Sequence, residues 1–249
     1  MTPASRRDFI PDRIWHAEPG EPLTPLDRAD RPGLWERVAA SDEAVVTQVS
    51  VDPHGMVWPT SSSSAPYLMR EMLDALGPVA GRSVLEIGTG TGYNAALMAE
   101  AGADVTTVEI DPDLASAASA ALERAGFADR VRVLVADGEA GAPDHAPFDR
   151  VIATAAAHTV PYAWVAQTRE GGRIVVPFTG AECPGALLVL DVADGIAAGG
   201  AVGDAFFMPL RAQKQPQAVL QAERAPGALE SLRVTVDPSG QTVHIQPCG

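Results

Sequence analysis

A short apolar run that breaks into alternating glycines constrains this chain more than any other feature. Ser83-Val84-Leu85-Glu86-Ile87 ends in Gly88-Thr89-Gly90-Thr91-Gly92, and Tyr93 to Ala101 is rich in Ala, Leu and Met. An apolar pentapeptide, a turn able to take positive φ and a helix-forming stretch read as strand, tight turn, helix. Val105 to Glu109 repeats the strand signal, and Asp111-Pro112 supplies a cap and first-turn proline for a helix to about Ala125. Further strands are expected at 132–136, 148–153 and 173–177, with a helical stretch near 161–168. Such alternation predicts a doubly wound, mainly parallel α/β sheet with helices on both faces. Runs at 186–192 and 205–210 read as closing strands, the second placing Phe206 and Phe207 in the core. Residues 231–236 and 242–246, joined by Asp237-Pro238-Ser239-Gly240, read as a separate C-terminal hairpin.

The 249 residues carry 18 basic and 32 acidic side chains, a net charge of −14. That length allows one large domain with additions, and 46% hydrophobic residues provide a sizeable core. The acidity argues against nucleic acid and anionic membranes as partners. Lys214 is the sole lysine, which leaves almost no candidate for Schiff-base chemistry. Cys183 and Cys248 have neither C-x-x-C spacing nor a histidine cluster nearby, and His16, His54, His145, His158 and His244 are scattered. No disulfide framework and no metal site are therefore expected, and a reducing cytoplasm fits. No apolar export segment and no membrane-spanning run is visible. The expected organisation is an N-terminal extension at 1–54, a catalytic domain at 55–211 and a C-terminal extension at 212–249.

Glycines at a strand end let a ligand approach the backbone, and the following helix offers unpaired N–H groups and a positive dipole end. The dinucleotide fingerprint G-x-G-x-x-G fails, because Tyr93 stands where its last glycine belongs. Glu109 ends the second strand, where an acceptor-only carboxylate can take both ribose hydroxyls. Asp137-Gly138 ends the third, where an adenine amino group can be met. Each acid alone reads as a solvated loop or cap; three such features at three successive strand ends favour a nucleoside site.

Glu86 to Tyr93 resembles motif I of S-adenosylmethionine-dependent methyltransferases, and specifically of the protein-L-isoaspartate O-methyltransferases. The resemblance runs from about Gly55 to Arg211. It includes Ser64-Ala65-Pro66-Tyr67-Leu68-Met69 upstream, and downstream Ala146-Pro147-Phe148-Asp149, Thr154-Ala155-Ala156, Val160-Pro161, Glu170-Gly171-Gly172-Arg173 and Phe207-Met208-Pro209-Leu210. It implies a Rossmann-like methyltransferase domain that binds S-adenosyl-L-methionine and releases S-adenosyl-L-homocysteine. Gly88, Gly90 and Gly92 match the loop around the methionine moiety, Glu109 the ribose acceptor, and Asp137 with Gly138 the adenine contacts. Ser62, Glu86, Thr89, Tyr93, Ile110 and Thr154 complete the implied cofactor set. Ser64 matches the family's active-site serine, and Ser63 is the second catalytic candidate. Where the family usually has Thr-Ile-Ser, this chain has Ser62-Ser63-Ser64 within a run of four serines.

The implied reaction is methyl transfer to an aspartyl-type carboxylate of a peptide, after which the backbone nitrogen closes the ester to a succinimide. The segments Arg7 to Trp15 and Asp42 to Val49, with Pro59 to Pro66, resemble the actinobacterial members that accompany ATP-grasp peptide maturases. In those relatives the acceptor is an ordinary aspartate of a cyclised, ribosomally made precursor, a graspetide, and the product an aspartimide. The alternatives are repair of L-isoaspartyl residues in damaged proteins and a non-catalytic, cofactor-binding scaffold that recruits a peptide. Trp15, Trp35 and Trp58 are expected either to contact peptide or, more simply, to anchor the N-terminal segment. The charge divides as −4 over 1–54, −10 over 55–211 and 0 over 212–249. A negative catalytic domain that receives an anionic acceptor has to recognise it at short range.

Overall fold

In the computed structural model, which describes residues 4–180, 183–213 and 227–245, the expected strand–turn–helix stands at the centre of the five parallel strands of a nine-stranded sheet. Ser83–Ile87 (β5) is flanked by Asp104–Glu109 (β6) and Phe148–Ala153 (β8). Val131–Val135 (β7) lies outside β6, and Thr168–Phe178 (β9) outside β8, all five strands being parallel. β5 and β6 are buried almost throughout, as expected of strands covered on both faces. The cover includes the helices Pro66–Leu76 (α2), Tyr93–Glu100 (α3) and Pro112–Ala125 (α4). Asp111 caps α4 as its sequence suggests, Oδ1 accepting from the N–H groups of Asp113 at 3.0 Å and Leu114 at 3.3 Å. Tyr162–Ala166 (α5) is shorter than the expected helix, because Thr168 already belongs to β9.

Beyond β9 the sheet continues as an antiparallel meander of Ala186–Ala193 (β10), Ile196–Asp204 (β11), Leu232–Asp237 (β12) and Gly240–Ile245 (β13). Two expectations are corrected here. The C-terminal hairpin is not separate: β12 pairs with β11, and Leu232, Val234 and Val236 join the main core. A Cβ on Gly199 would stand 1.9 Å from the Val189 carbonyl oxygen, and one on Gly200 2.6 Å from that of Leu232, so these glycines let three strands close up. Nor do residues 205–210 form a strand; the strand is the glycine-rich segment before them, whose composition hides it. Residues 205–213 instead form a strap over the carboxyl ends of the strands. It is fastened where Ala156 N–H donates to Met208 O at 2.8 Å and Leu210 N–H to Ala156 O at 2.9 Å. On this strap Phe206 is 72% exposed rather than core.

Arg13–His16 (β1), Thr24–Asp27 (β2), Val45–Val51 (β3) and Val57–Ser63 (β4) form a second, antiparallel sheet in the order β2-β1-β3-β4. The β3–β4 hairpin spans residue 54, so the N-terminal extension and the serine run share one sheet. With Pro32–Ala39 (α1) it encloses a small core of Ile14, Leu26 and Trp35. Trp35 is fully buried, donates from Nε1 to Pro11 O and lies under Arg28; it anchors the segment, while Trp58 is 55% exposed. Cys183 is buried, and Cys248 and Lys214 lie outside the described residues. Among the described residues no helix is long and apolar enough to cross a membrane, and no three His, Cys, Asp or Glu side chains gather to hold a metal.

Candidate active site

Where strand order reverses between β5 and β8, the carboxyl ends of the strands open into a cavity of about 330 Å³. Its floor is the glycine turn. Gly88, Gly90 and Gly92 have φ of 93°, 53° and 85°, a conformation that side chains with a Cβ rarely take. Gly88 N–H donates to Val108 O at 2.8 Å, and the Thr154 hydroxyl donates to Gly88 O, so the turn is pinned from both neighbouring strands. A Cβ on Gly88 would stand 2.8 Å from Thr154 Oγ1, and one on Gly138 2.6 Å from Ile87 Cγ2. Bare backbone is what keeps the cavity open there.

Glu109 is 7% exposed, with Oε2 accepting from Gly90 N–H at 2.9 Å and Oε1 from Asp111 N–H at 3.1 Å. Each oxygen keeps a second lone pair, so the carboxylate can take two more donors. Glu109, Ile110, Asp137, Gly138 and Thr154 all line the cavity, as do Gly88, Thr89, Gly90 and Tyr93. Asp137 is exposed and caps its own turn, Oδ1 accepting from Glu139 N–H at 3.0 Å. Gly92 faces away, packed against Leu122 and Ala118 of α4.

Glu86 does not line the cavity; it lies wholly buried beneath the glycine turn. Its Oε1 accepts from Asn94 Nδ2 at 2.7 Å and its Oε2 from the Thr107 hydroxyl at 2.6 Å. Because Thr107 donates to Glu86, the Thr89 hydroxyl donates to Thr107 Oγ1, at 2.7 Å. Burial pushes the Glu86 carboxyl up to about 7, against the two hydrogen bonds and with some help from the nearby Glu109 charge. Among the described residues Asn94 Oδ1 is left buried without a partner, an acceptor at the cavity wall. Neither Asn94 nor Thr107 was singled out from the sequence. Asn94 had a signal, being the polar residue that interrupts an Ala- and Leu-rich helix two positions after the last glycine.

The opposite wall is the serine run. Ser61 to Ser64 all line the cavity, and Gly90 approaches them closely: a Cβ there would lie 3.7 Å from Ser62 O and 3.9 Å from Ser61 Oγ. Burial alternates as in a strand, with Ser61 and Ser63 buried and Ser62 and Ser64 half-buried. Among the described residues the Ser64 hydroxyl has no hydrogen-bond partner, whereas Ser63 Oγ accepts from Arg6 Nε at 3.1 Å. Tyr67 and Phe206, 46% and 72% exposed, stand at the mouth.

A clasp joins the two walls. Asp111 Oδ2 accepts from Gln48 Nε2 at 3.0 Å and from Arg211 at 3.2 Å, while Gln48 Oε1 accepts from the Thr60 hydroxyl at 2.7 Å. The Gln48 amide, followed by α4's N–H groups and Arg211, holds the Asp111 carboxyl below its ordinary value. Sequence reasoning missed this clasp, whose members come from the N-terminal sheet, a helix cap and the strap.

Known proteins resemble this chain in sequence and in fold. Protein-L-isoaspartate O-methyltransferases from Hyperthermus butylicus and Methanocella arvoryzae are 40% and 50% identical to this chain over 157 and 117 residues. Those matches cover 59% and 46% of this chain and 65% and 62% of the two relatives. The chain spans about half to two thirds of the length of the curated relatives it matches. A solved protein-L-isoaspartate O-methyltransferase superposes with a TM-score of 0.62 at 27% identity, covering 82% of this chain and 57% of that one. A Plasmodium falciparum protein assigned to the same methyltransferases, in complex with S-adenosyl-L-homocysteine, shares the fold at a TM-score of 0.56 and 18% identity, covering 72% and 84% of the two chains. The sequence model of the protein-L-isoaspartate(D-aspartate) O-methyltransferases matches residues 41–215, more than half of this chain, which therefore belongs to that family.

Proposed function

We propose that this protein is an S-adenosyl-L-methionine-dependent carboxyl O-methyltransferase acting on an aspartyl-type side chain of a peptide. The supporting observation is a single cavity that joins a pinned glycine turn and the Glu109 carboxylate to a wall of serine hydroxyls. The cofactor fits what is there: bare glycine backbone, a carboxylate with spare lone pairs for ribose hydroxyls, and a buried acceptor on Asn94 for an ammonium group. When bound, S-adenosyl-L-methionine supplies a methyl group on a sulfonium.

The acceptor carboxylate, with an ordinary pKa near ~4, is already ionised at pH 7, so the chain has no proton to remove. Its task is position. Ser64, half-buried on the cavity wall and without a partner among the described residues, donates to one carboxylate oxygen and leaves the other turned toward the methyl group. Holding reactants in line this way is worth up to roughly 7–11 kcal/mol of a bimolecular barrier.

The acceptor is an ordinary aspartate in a maturase-cyclised, ribosomally made peptide. This reading is supported by four consecutive serines where the family usually has Thr-Ile-Ser, and by the N-terminal segments that resemble graspetide-associated members. The family's name and its relatives' names support the second reading, an isoaspartyl acceptor in damaged protein. Incubation with S-adenosyl-L-methionine and either acceptor, followed by mass analysis, separates them. Methyl gain on the cyclised precursor, followed by loss of methanol to the aspartimide, is expected; gain on the isoaspartyl peptide alone replaces the first reading with the second.

A further inference from the structure

We propose that Arg6, 35 residues before the region matched by the family, is a positioning residue that fastens the serine wall and sets its charge behind the acceptor site. The inference rests on the carboxyl-methyltransferase reading.

Arg6 is only 6% exposed. Its guanidinium spends its donors on neutral acceptors: Nε on Ser63 Oγ at 3.1 Å, Nη1 on Ser41 O at 2.9 Å, and Nη2 on Glu43 O and Ser63 O, both at 2.7 Å. It thus grips Ser63 by backbone and side chain together. Ser63 is the last residue of β4, an edge strand paired on one side with β3. Ser64 follows it, beyond the last strand pairing and before the first turn of α2. Without the grip on Ser63, Ser64 is set by two flanking elements and by nothing at its own position.

A buried cation with no carboxylate against it is costly, and hydrogen bonds to carbonyl dipoles repay only part of that cost. Its surroundings are otherwise neutralised or distant. Asp42, whose field reaches Arg6, is turned to Tyr67 N–H at 2.8 Å and Arg70 at 3.4 Å. Arg7 pairs with Glu36, and the Glu43 and Asp8 side chains are exposed. Tyr93, which lines the cavity and whose hydroxyl burial pushes up, is reached by the charges of Arg6, Glu100 and Arg70, Arg6 being the strongest of the three, and the Glu100 carboxylate accepts from Ala4 N–H at 3.3 Å. A domain of net charge −10 that receives a carboxylate gains a local cation there, itself buried behind the serine wall.

The two parts of the role are separable in Arg6→Lys, which keeps the charge and loses the fork, and Arg6→Gln, which loses the charge. Steady-state kinetics with the methylated peptide class, over a pH series, reads both, with calorimetric S-adenosyl-L-homocysteine binding as the folding control. Arg6→Lys is expected to lower kcat about tenfold with cofactor affinity and the acid limb of kcat unchanged. Removing a cation raises the bound acceptor's pKa, so Arg6→Gln is expected to move that acid limb up by about one pH unit and to lose more activity than the lysine variant. Wild-type kcat, KM and acid limb in Arg6→Gln, with normal cofactor binding, overturn the proposal. Should that variant not fold, wild-type kinetics in Arg6→Lys overturn the fastening role, on which the placing of the charge depends. A wild-type protein that methylates no peptide overturns the methyltransferase reading itself, a result these variants cannot mimic.

Discussion

The two walls of the cavity are built on different principles. The glycine side is made mostly of short-range contacts: Glu86 to Asn94, Gly90 to Glu109 and Glu86 to Thr107 span 8, 19 and 21 residues. These three fall within one βαβ unit, and Thr154, just past the end of β8, adds a longer-range bond to Gly88. The serine side depends on a residue 57 positions away for its grip, and on a strap and a helix cap for its clasp. A wall assembled within one supersecondary unit can be held rigidly by local geometry, whereas one assembled from distant segments can vary its acceptor without disturbing the cofactor. The difference predicts that substitutions on the two sides fail in different measurements.

The largest separation is expected from Gly88→Ala. A Cβ 2.8 Å from Thr154 Oγ1 on a backbone with φ of 93° combines a clash with strain of about 1–3 kcal/mol. Cofactor binding should fall more than about a hundredfold by calorimetry, and wild-type affinity would remove the turn from the cofactor wall. Glu109→Ala comes next. It deletes a carboxylate that organises Gly90 and Asp111, and charged hydrogen bonds at about 1.5–3 kcal/mol each predict a loss of cofactor affinity of ten- to a hundredfold. An unchanged affinity would take Glu109 out of the ribose site. Ser64→Ala should leave cofactor affinity within about twofold and lower kcat about tenfold, the worth of one hydrogen bond. Full activity would pass the orienting role to another serine, and weakened cofactor binding would erase the distinction between the walls.

The smallest effect is one of pH. The Glu86 carboxyl titrates near 4.5 in the unfolded chain and at about 7 in the fold, so between those values the folded state holds the additional proton. Stability contributed by this group is therefore greatest below about pH 4.5 and declines as pH rises from there through about 7. Glu86→Gln should flatten the decline, measured as the melting temperature of both proteins across that range. Parallel curves would show the carboxylate charged throughout and the network beneath the turn held some other way.

What the sequence disclosed follows the same division. The turn, Glu109 and Asp137 announce themselves because each lies at a strand end with a local pattern around it. Glu86 carried the pattern but not the place: it supports the turn from below instead of lining the cavity. The strand 196–204 was hidden by Gly199, Gly200 and Gly203, residues poor in strands generally, of which Gly199 and Gly200 are required here by the closeness of β10 and β12. Phe206 was misjudged because the apolar run 205–210 reads as a closing strand, whereas it forms the strap, bridged to the sheet end at Ala156, and leaves Phe206 72% exposed. Arg6 had no local signal; it is one of two adjacent arginines, and only the fold separates the buried one from the one paired with Glu36 at the surface.

The central claim is that the glycine wall and the serine wall act on one acceptor carboxylate. Methyl-labelled S-adenosyl-L-methionine, incubated with the protein and a peptide bearing a free aspartyl-type carboxyl group, tests it directly. The account predicts label on the peptide as a base-labile ester, lost in Gly88→Ala through cofactor binding and slowed in Ser64→Ala with cofactor binding intact. Label in a base-stable position, or none on any peptide while the cofactor binds, would contradict it.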